Sequence, residues 1–127
     1  MDVLTQYGFS IEEIQGMLDT NILIESVEDR DIYELIELLK SIGCNIDIIR
    51  NIFLCNPFCL SNNLTSTRKL IDKLQEFGLD YLFILFDKNP YLLNINELEL
   101  DSFYQKMKKE GMMNEDIFEY LSYHFIY

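Results

Sequence analysis

Four side chains in this 127-residue sequence have the chemistry of soft metal ligands or nucleophiles: Cys44, Cys55, Cys59 and the single histidine, His124. Cys55 and Cys59 stand four residues apart, with Cys44 eleven residues before the first of them. A structural zinc centre takes four tetrahedral ligands, commonly as two close pairs. Here the one close pair is interrupted by Pro57 and set among Phe53, Phe58 and Leu60, so the cysteines read as small buried hydrophobes. A Cys–His catalytic pair would need His124, near the C-terminus, to reach a buried thiol and to be oriented by a third group. Neither the glycines nor the carboxylates form a phosphate cradle or an acid–base pair that can be placed. The expectation is a non-enzymatic chain with no metal and no cofactor.

Charge offers the next chemistry. Arg68, Lys69 and Lys73 share one segment, and Lys106, Lys108 and Lys109 another. Facing one groove, these six would form a strip for phosphates. In the alternative reading, Arg68 pairs with Asp72 at i+4 and the three C-terminal lysines complement a helix dipole. The formal net charge of −12 is uneven: residues 1–47 carry eleven acids against two bases. Glu28, Asp31 and Glu34 belong to that acidic region, which would suit a basic protein surface or be a plain solvated face. Such a surface repels phosphate backbones and disfavours non-specific nucleic-acid binding. Tyr120, Tyr123 and Tyr127 close the chain and can leave apolar surface open to a partner, another copy of the chain included.

The elements that must position these residues recur. Glycines at 8, 43, 78 and 111 are spaced by 35, 35 and 33 residues. A period of that size is the signature of a helical repeat array. Asn21, Asn56 and Asn89 follow the first three glycines by 13, 13 and 11 residues, and a fixed phase of this kind argues against an irregular bundle. Each unit reads as a short helix, a 3₁₀ turn marked by Pro57 or Pro90 in two of them, and a longer helix. Residues 1–7 read as a helix end stopped at Gly8. Ser10 and Glu13 make a capping box for a helix with Ile11, Ile14 and Leu18 inward. A helix opened by Ser26–Asp29 buries Ile32, Leu35, Ile36, Leu39 and Ile42. Asn45 caps the next, Pro57 ends it, and Phe58 and Leu60 tuck under. Thr65 or Ser66 caps a helix that buries Leu70, Ile71, Leu74 and Phe77. Helices over 80–88, about 96–109 and about 114–124 follow, with Leu92 and Leu93 buried between the first two and Ile117, Phe118 and Leu121 apolar in the last. The fold class is therefore all-α, with seven or eight helices in one domain, 1–127. Its units run approximately 8–42, 43–77 and 78–110, with a partial unit over 111–127.

The unit from Ile49 to Leu60 with Leu70–Gly78, and the stretch from Ile84 to Leu93, resemble the mitochondrial transcription termination factor (mTERF) repeat, and the resemblance covers about three units. It implies an all-helical left-handed solenoid that binds double-stranded DNA or RNA through a basic concave groove, with small bacterial proteins as the nearer comparison. This chain has fewer repeats than the family's long members and is acidic where they are basic. The sequence reading therefore favours a protein-interaction or regulatory module, with protein as its partner. Nucleic-acid binding through a reduced groove is the alternative. The N-terminus lacks the basic and apolar regions of a signal peptide, and no segment has the ~20 apolar residues of a membrane span. Free thiols and a cytoplasmic location are the expectation.

Overall fold

The computed structural model describes residues 2–124. Among them are eight α-helices: α1 (Asp2–Gln6), α2 (Ile11–Thr20), α3 (Asp29–Ser41), α4 (Ile46–Cys55), α5 (Leu64–Glu76), α6 (Leu82–Lys88), α7 (Glu97–Lys109) and α8 (Asn114–Tyr123). Three 3₁₀ turns, Ile22–Ser26, Pro57–Ser61 and Pro90–Asn94, join each short helix to the longer one after it. No strand occurs among the described residues.

The helices stack in rows. α1, α3, α5 and α7 pack successively, as do α2, α4, α6 and α8, and the three turns pack on one another. Position by position the rows bury equivalent residues. Counting from the residue that caps each long helix (Glu28, Asn63 and Asn96), Ile32, Thr67 and Leu100 fall in register, as do Ile36, Ile71 and Tyr104, then Leu39, Leu74 and Met107; all nine are buried. Each unit thus supplies an apolar layer that its neighbours cover.

Asparagine joins the layers. Asn21, Asn56 and Asn89 each end a short helix, giving the backbone N–H to Met17, Ile52 and Leu85 in turn. Their buried side chains then reach one unit ahead. Asn21 Nδ2 donates to the Pro57 carbonyl at 3.3 Å and to Ser61 Oγ at 2.8 Å. Asn56 Nδ2 donates to the Pro90 carbonyl at 2.9 Å and to Asn94 Oδ1 at 3.1 Å, and its Oδ1 accepts from Asn94 Nδ2 at 3.0 Å. Asn89 Nδ2 donates to the carbonyls of Leu121 and His124. A 3₁₀ turn leaves carbonyls that its own short ladder cannot satisfy, and a buried one is costly unless paired. The recurrence of asparagine 13, 13 and 11 residues after the glycines is this clasp seen in one dimension.

Several local expectations are corrected. Ile11 is 83 % exposed, and Met17 takes the centre of the α2 stripe. At 100° per residue Ile14, Leu18 and Ile11 lie about 60°, 100° and 120° to the same side of Met17, so burial falls from Met17 through the half-buried pair to Ile11 at the start of the helix. The capping box itself is present, with Glu13 N–H donating to Ser10 Oγ at 3.0 Å and Ser10 N–H to Glu13 Oε1 at 2.9 Å. Ser26 ends the first turn and Glu28 occupies the α3 cap position. Asn63, rather than Thr65 or Ser66, caps α5, because its Oδ1 accepts from both of their N–H groups. Phe58 is 47 % exposed; of the expected pair only Leu60 is buried. α6 begins at Leu82 because the third unit is two residues shorter, and Tyr81, at φ 58°, makes the entry that a Ser or Asn makes in the first two units.

Candidate binding surfaces

Apart from Lys88 on α6, the exposed cations lie on the long-helix row. Arg68 and Lys69 are exposed on α5, and Lys106, Lys108 and Lys109 are exposed on the last turns of α7. Lys73 and Lys106 each stand ten residues past their helix cap, so they share a level on neighbouring helices. Lys73 bonds Glu76 at 3.5 Å and lies 5.9 Å from the Phe77 ring, while Lys108 sits 5.8 Å over Tyr104. The expected pair of Arg68 with Asp72 does not form. Among the described residues Arg68, Lys69, Lys106 and Lys109 have no carboxylate within ion-pair reach. Arg30, Lys40 and Arg50 are placed differently: Arg30 pairs with Glu34 at 3.2 Å, Lys40 with Glu37 at 3.6 Å, and Arg50 with Glu13 at 3.0 Å.

Arg50 is a clamp that sequence reasoning missed. One guanidinium nitrogen donates to the Gly8 carbonyl at 2.7 Å, the other to both Glu13 oxygens at 3.1 and 3.0 Å, and the group lies 4.8 Å from the Phe9 ring. The Ser10 backbone N–H and then the Arg50 hydrogen bond hold the Glu13 carboxyl below its ordinary value. Glu13 and Arg50 are 37 residues apart, and an opposite-charge pair about one repeat apart was the available signal.

The acidic residues meet a furrow between the first and second units, a cavity of about 470 Å³. Asp31 and Glu34 stand on its wall; Glu28 is exposed at the α3 cap, outside the lining. A smaller cavity of about 180 Å³ repeats the furrow between the second and third units, walled by amides such as Asn62, Asn94 and Asn96. A third cavity, near 560 Å³, brings Lys106 and Tyr120 together beside Phe103 and Met107. Tyr120 stacks on Phe103 at 5.1 Å between centroids, and Tyr123 is 58 % exposed with Lys88 5.8 Å from its ring. Tyr127 lies outside the described residues.

The thiols divide. Cys44 and Cys59 are buried, as expected, but Cys55 is exposed, its Sγ 3.3 Å from Asn51 Oδ1. Cys55 lies at the C-terminal end of α4, where the stripe through Ile49, Ile52 and Phe53 has turned away. Burial, with a smaller effect of Asp87, pushes the Cys44 thiol up to about 12, and burial raises Cys59 as well. Both remain neutral thiols, poor nucleophiles and poor ligands. His124 caps α8 and stacks on Tyr120 at 3.6 Å, with Nδ1 2.7 Å from the Tyr120 carbonyl. Among the described residues no three His, Cys, Asp or Glu side chains gather to hold a metal ion, and no helix is long and apolar enough to cross a membrane.

Among curated proteins and among solved structures nothing matches. A family model does: the one described as mTERF matches residues 2–123, from α1 to the last residue of α8, so that the rows, the turns and the asparagine clasps all fall inside it. The chain belongs to the mTERF family.

Proposed function

We propose that this chain is a non-enzymatic nucleic-acid-binding module that holds phosphates on the α5–α7 face. One observation carries the reading: Arg68, Lys69, Lys106 and Lys109 are exposed and, among the described residues, have no carboxylate partner, and they sit on two long helices packed side by side. Family membership supports it, since mTERF proteins bind nucleic acids. The first unit holds nine acids against two bases, whereas the second, which supplies α5, holds three acids against four bases. On these two helices affinity rests on a few phosphate contacts and on the counterions they release.

Fluorescence anisotropy with random-sequence duplex DNA, single-stranded DNA and RNA tests this. Four phosphate contacts on a duplex predict a log–log salt slope of about −3.6, a loss of about a hundredfold between 50 and 200 mM salt. Replacing Arg68, Lys69, Lys106 and Lys109 with Gln should abolish binding while leaving the circular dichroism spectrum unchanged. Binding that survives this replacement, or absence of binding at low salt, refutes the reading.

A further inference from the structure

The furrow between the first two units is open for a specific reason. At the second boundary Asn62 closes it: Asn62 Nδ2 donates to the Leu93 carbonyl and to Asn94 Oδ1, both at 3.3 Å. Asn62 stands one residue before the α5 cap, and the same position before α3 is Val27. Valine has no donor to reach the equivalent turn atoms of Leu60 and Ser61, so the first furrow stays unbridged. Its cavity is about 470 Å³, against about 180 Å³ at the bridged boundary.

The charge that lines the open furrow is all of one sign. Half-buried Val27 and Leu64 offer it apolar surface over buried Leu35 and Leu60. Six serine, asparagine and threonine residues supply neutral polar groups, and Asp31 and Glu34 give it an acidic wall. It contains no lysine or arginine. The cation nearest in sequence, Arg30, pairs with Glu34 but is largely exposed, and an exposed i,i+4 pair is worth only about 0.3–0.5 kcal/mol. At the bridged boundary the residue in register with Asp31 is Ser66 and the one with Glu34 is Lys69. Acid and opening therefore coincide in one unit.

We propose that this furrow is a docking groove for a segment of a partner protein in which apolar side chains alternate with lysine or arginine. The apolar side chains seat on half-buried Val27 and Leu64, and the basic ones meet Asp31 and Glu34 along the rim. A nucleic acid is the wrong occupant, because its phosphates would face the two carboxylates. The groove lies between the first two units and includes Leu64, Thr65 and Thr67 of α5, so its α5 wall adjoins Arg68.

The test uses the full chain and a fluorescein-labelled hexapeptide alternating leucine with lysine and arginine, followed by anisotropy; hexalysine is the control. The expected result is saturable binding that weakens at least tenfold in the Asp31→Asn/Glu34→Gln double variant. Val27→Asn, which restores the amide that closes the other boundary, should weaken it comparably while both carboxylates remain. The double variant changes only side chains on the furrow wall and serves if Val27→Asn fails to fold. Wild-type protein that does not bind the hexapeptide overturns the proposal. So does hexalysine binding as tightly, since generic attraction to a −12 chain would then suffice. Undiminished binding by a folded Val27→Asn variant overturns it too.

Discussion

Replacing Asn56 with Ala removes the central clasp of the array. Asn56 is fully buried, and three hydrogen bonds run from it into the third unit. The carbonyl it serves belongs to Pro90, itself buried, and a buried acceptor left without a donor costs about 1–3 kcal/mol. The two bonds to Asn94 are worth less, about 0.5 kcal/mol each, because Asn94 is exposed and water can replace them. Taking about 2 kcal/mol for the carbonyl, the variant should lose about 3 kcal/mol, a factor of about 150 in the folding equilibrium. For 127 residues that corresponds to a Tm lower by about 11 °C. Asn56→Asp keeps the shape but turns both donors into acceptors facing the Pro90 carbonyl and Asn94 Oδ1. Its carboxyl would titrate above the unfolded value, so the folded state binds more protons and the variant regains stability as the pH falls through that window. Urea unfolding followed by far-ultraviolet circular dichroism measures all of this. Asn62→Ala is the comparison, since exposed Asn62 makes two longer bonds and should cost less than about 0.5 kcal/mol. An Asn56→Ala loss below about 0.5 kcal/mol would refute the claim that the asparagines hold the units together.

Two further perturbations separate backbone from side-chain effects. Gly43→Ala places a Cβ 2.7 Å from the Phe83 ring at φ +101° and should cost about 1–3 kcal/mol. Gly16→Ala, inside α2 with nothing within 4 Å, should instead stabilise by about 0.5–1 kcal/mol; thermal melts of the two variants should move in opposite directions. The lowered Glu13 carboxyl contributes stability that is present above its unfolded value near 4.5 and lost as the pH falls through the lower folded value. Glu13→Gln should therefore flatten the stability–pH curve below about pH 4.5, and a slope unchanged from wild type would contradict the Arg50 clamp.

The architecture was legible because its strongest constraints recur in one dimension. Gly8, Gly43, Gly78 and Gly111 all have positive φ, a conformation that glycine adopts without a Cβ penalty, so chain reversals leave a periodic mark. The clasping asparagines keep phase with them. Ile11 misled because a stripe of three residues does not fix the centre of a buried sector; Met17 did. The caps of α3 and α5 were displaced by two or three residues because Ser, Thr, Asn and Glu crowd each helix entry, and only the hydrogen bonds to Thr65 and Ser66 N–H single out Asn63. The furrow was not legible at all. It depends on an absent bond at Val27, which shows only once Val27 is set in register with Asn62.

That register also explains how an array with so uniform a core carries opposite charges on its surface. Seven residues past the cap of each long helix stand Leu35, Leu70 and Phe103, all apolar, the first two fully inside the array. One position earlier stand Glu34, Lys69 and Ser102: acid, base and neutral. Adjacent helix positions differ by 100°, enough to turn a side chain out of the layer contact and release it from the demand for burial. Stacking therefore constrains one position while leaving its neighbour free to carry whatever charge a ligand selects. The acidic first furrow and the cationic α5–α7 face are then adjoining surfaces of opposite charge on one repeating core. Exchanging Glu34 and Lys69 by the double replacement Glu34→Lys/Lys69→Glu should then leave stability within about 0.5 kcal/mol of wild type while weakening both kinds of binding. A large loss of stability in that variant would mean that the charge at this position serves the fold, and the separation of core from surface would fail.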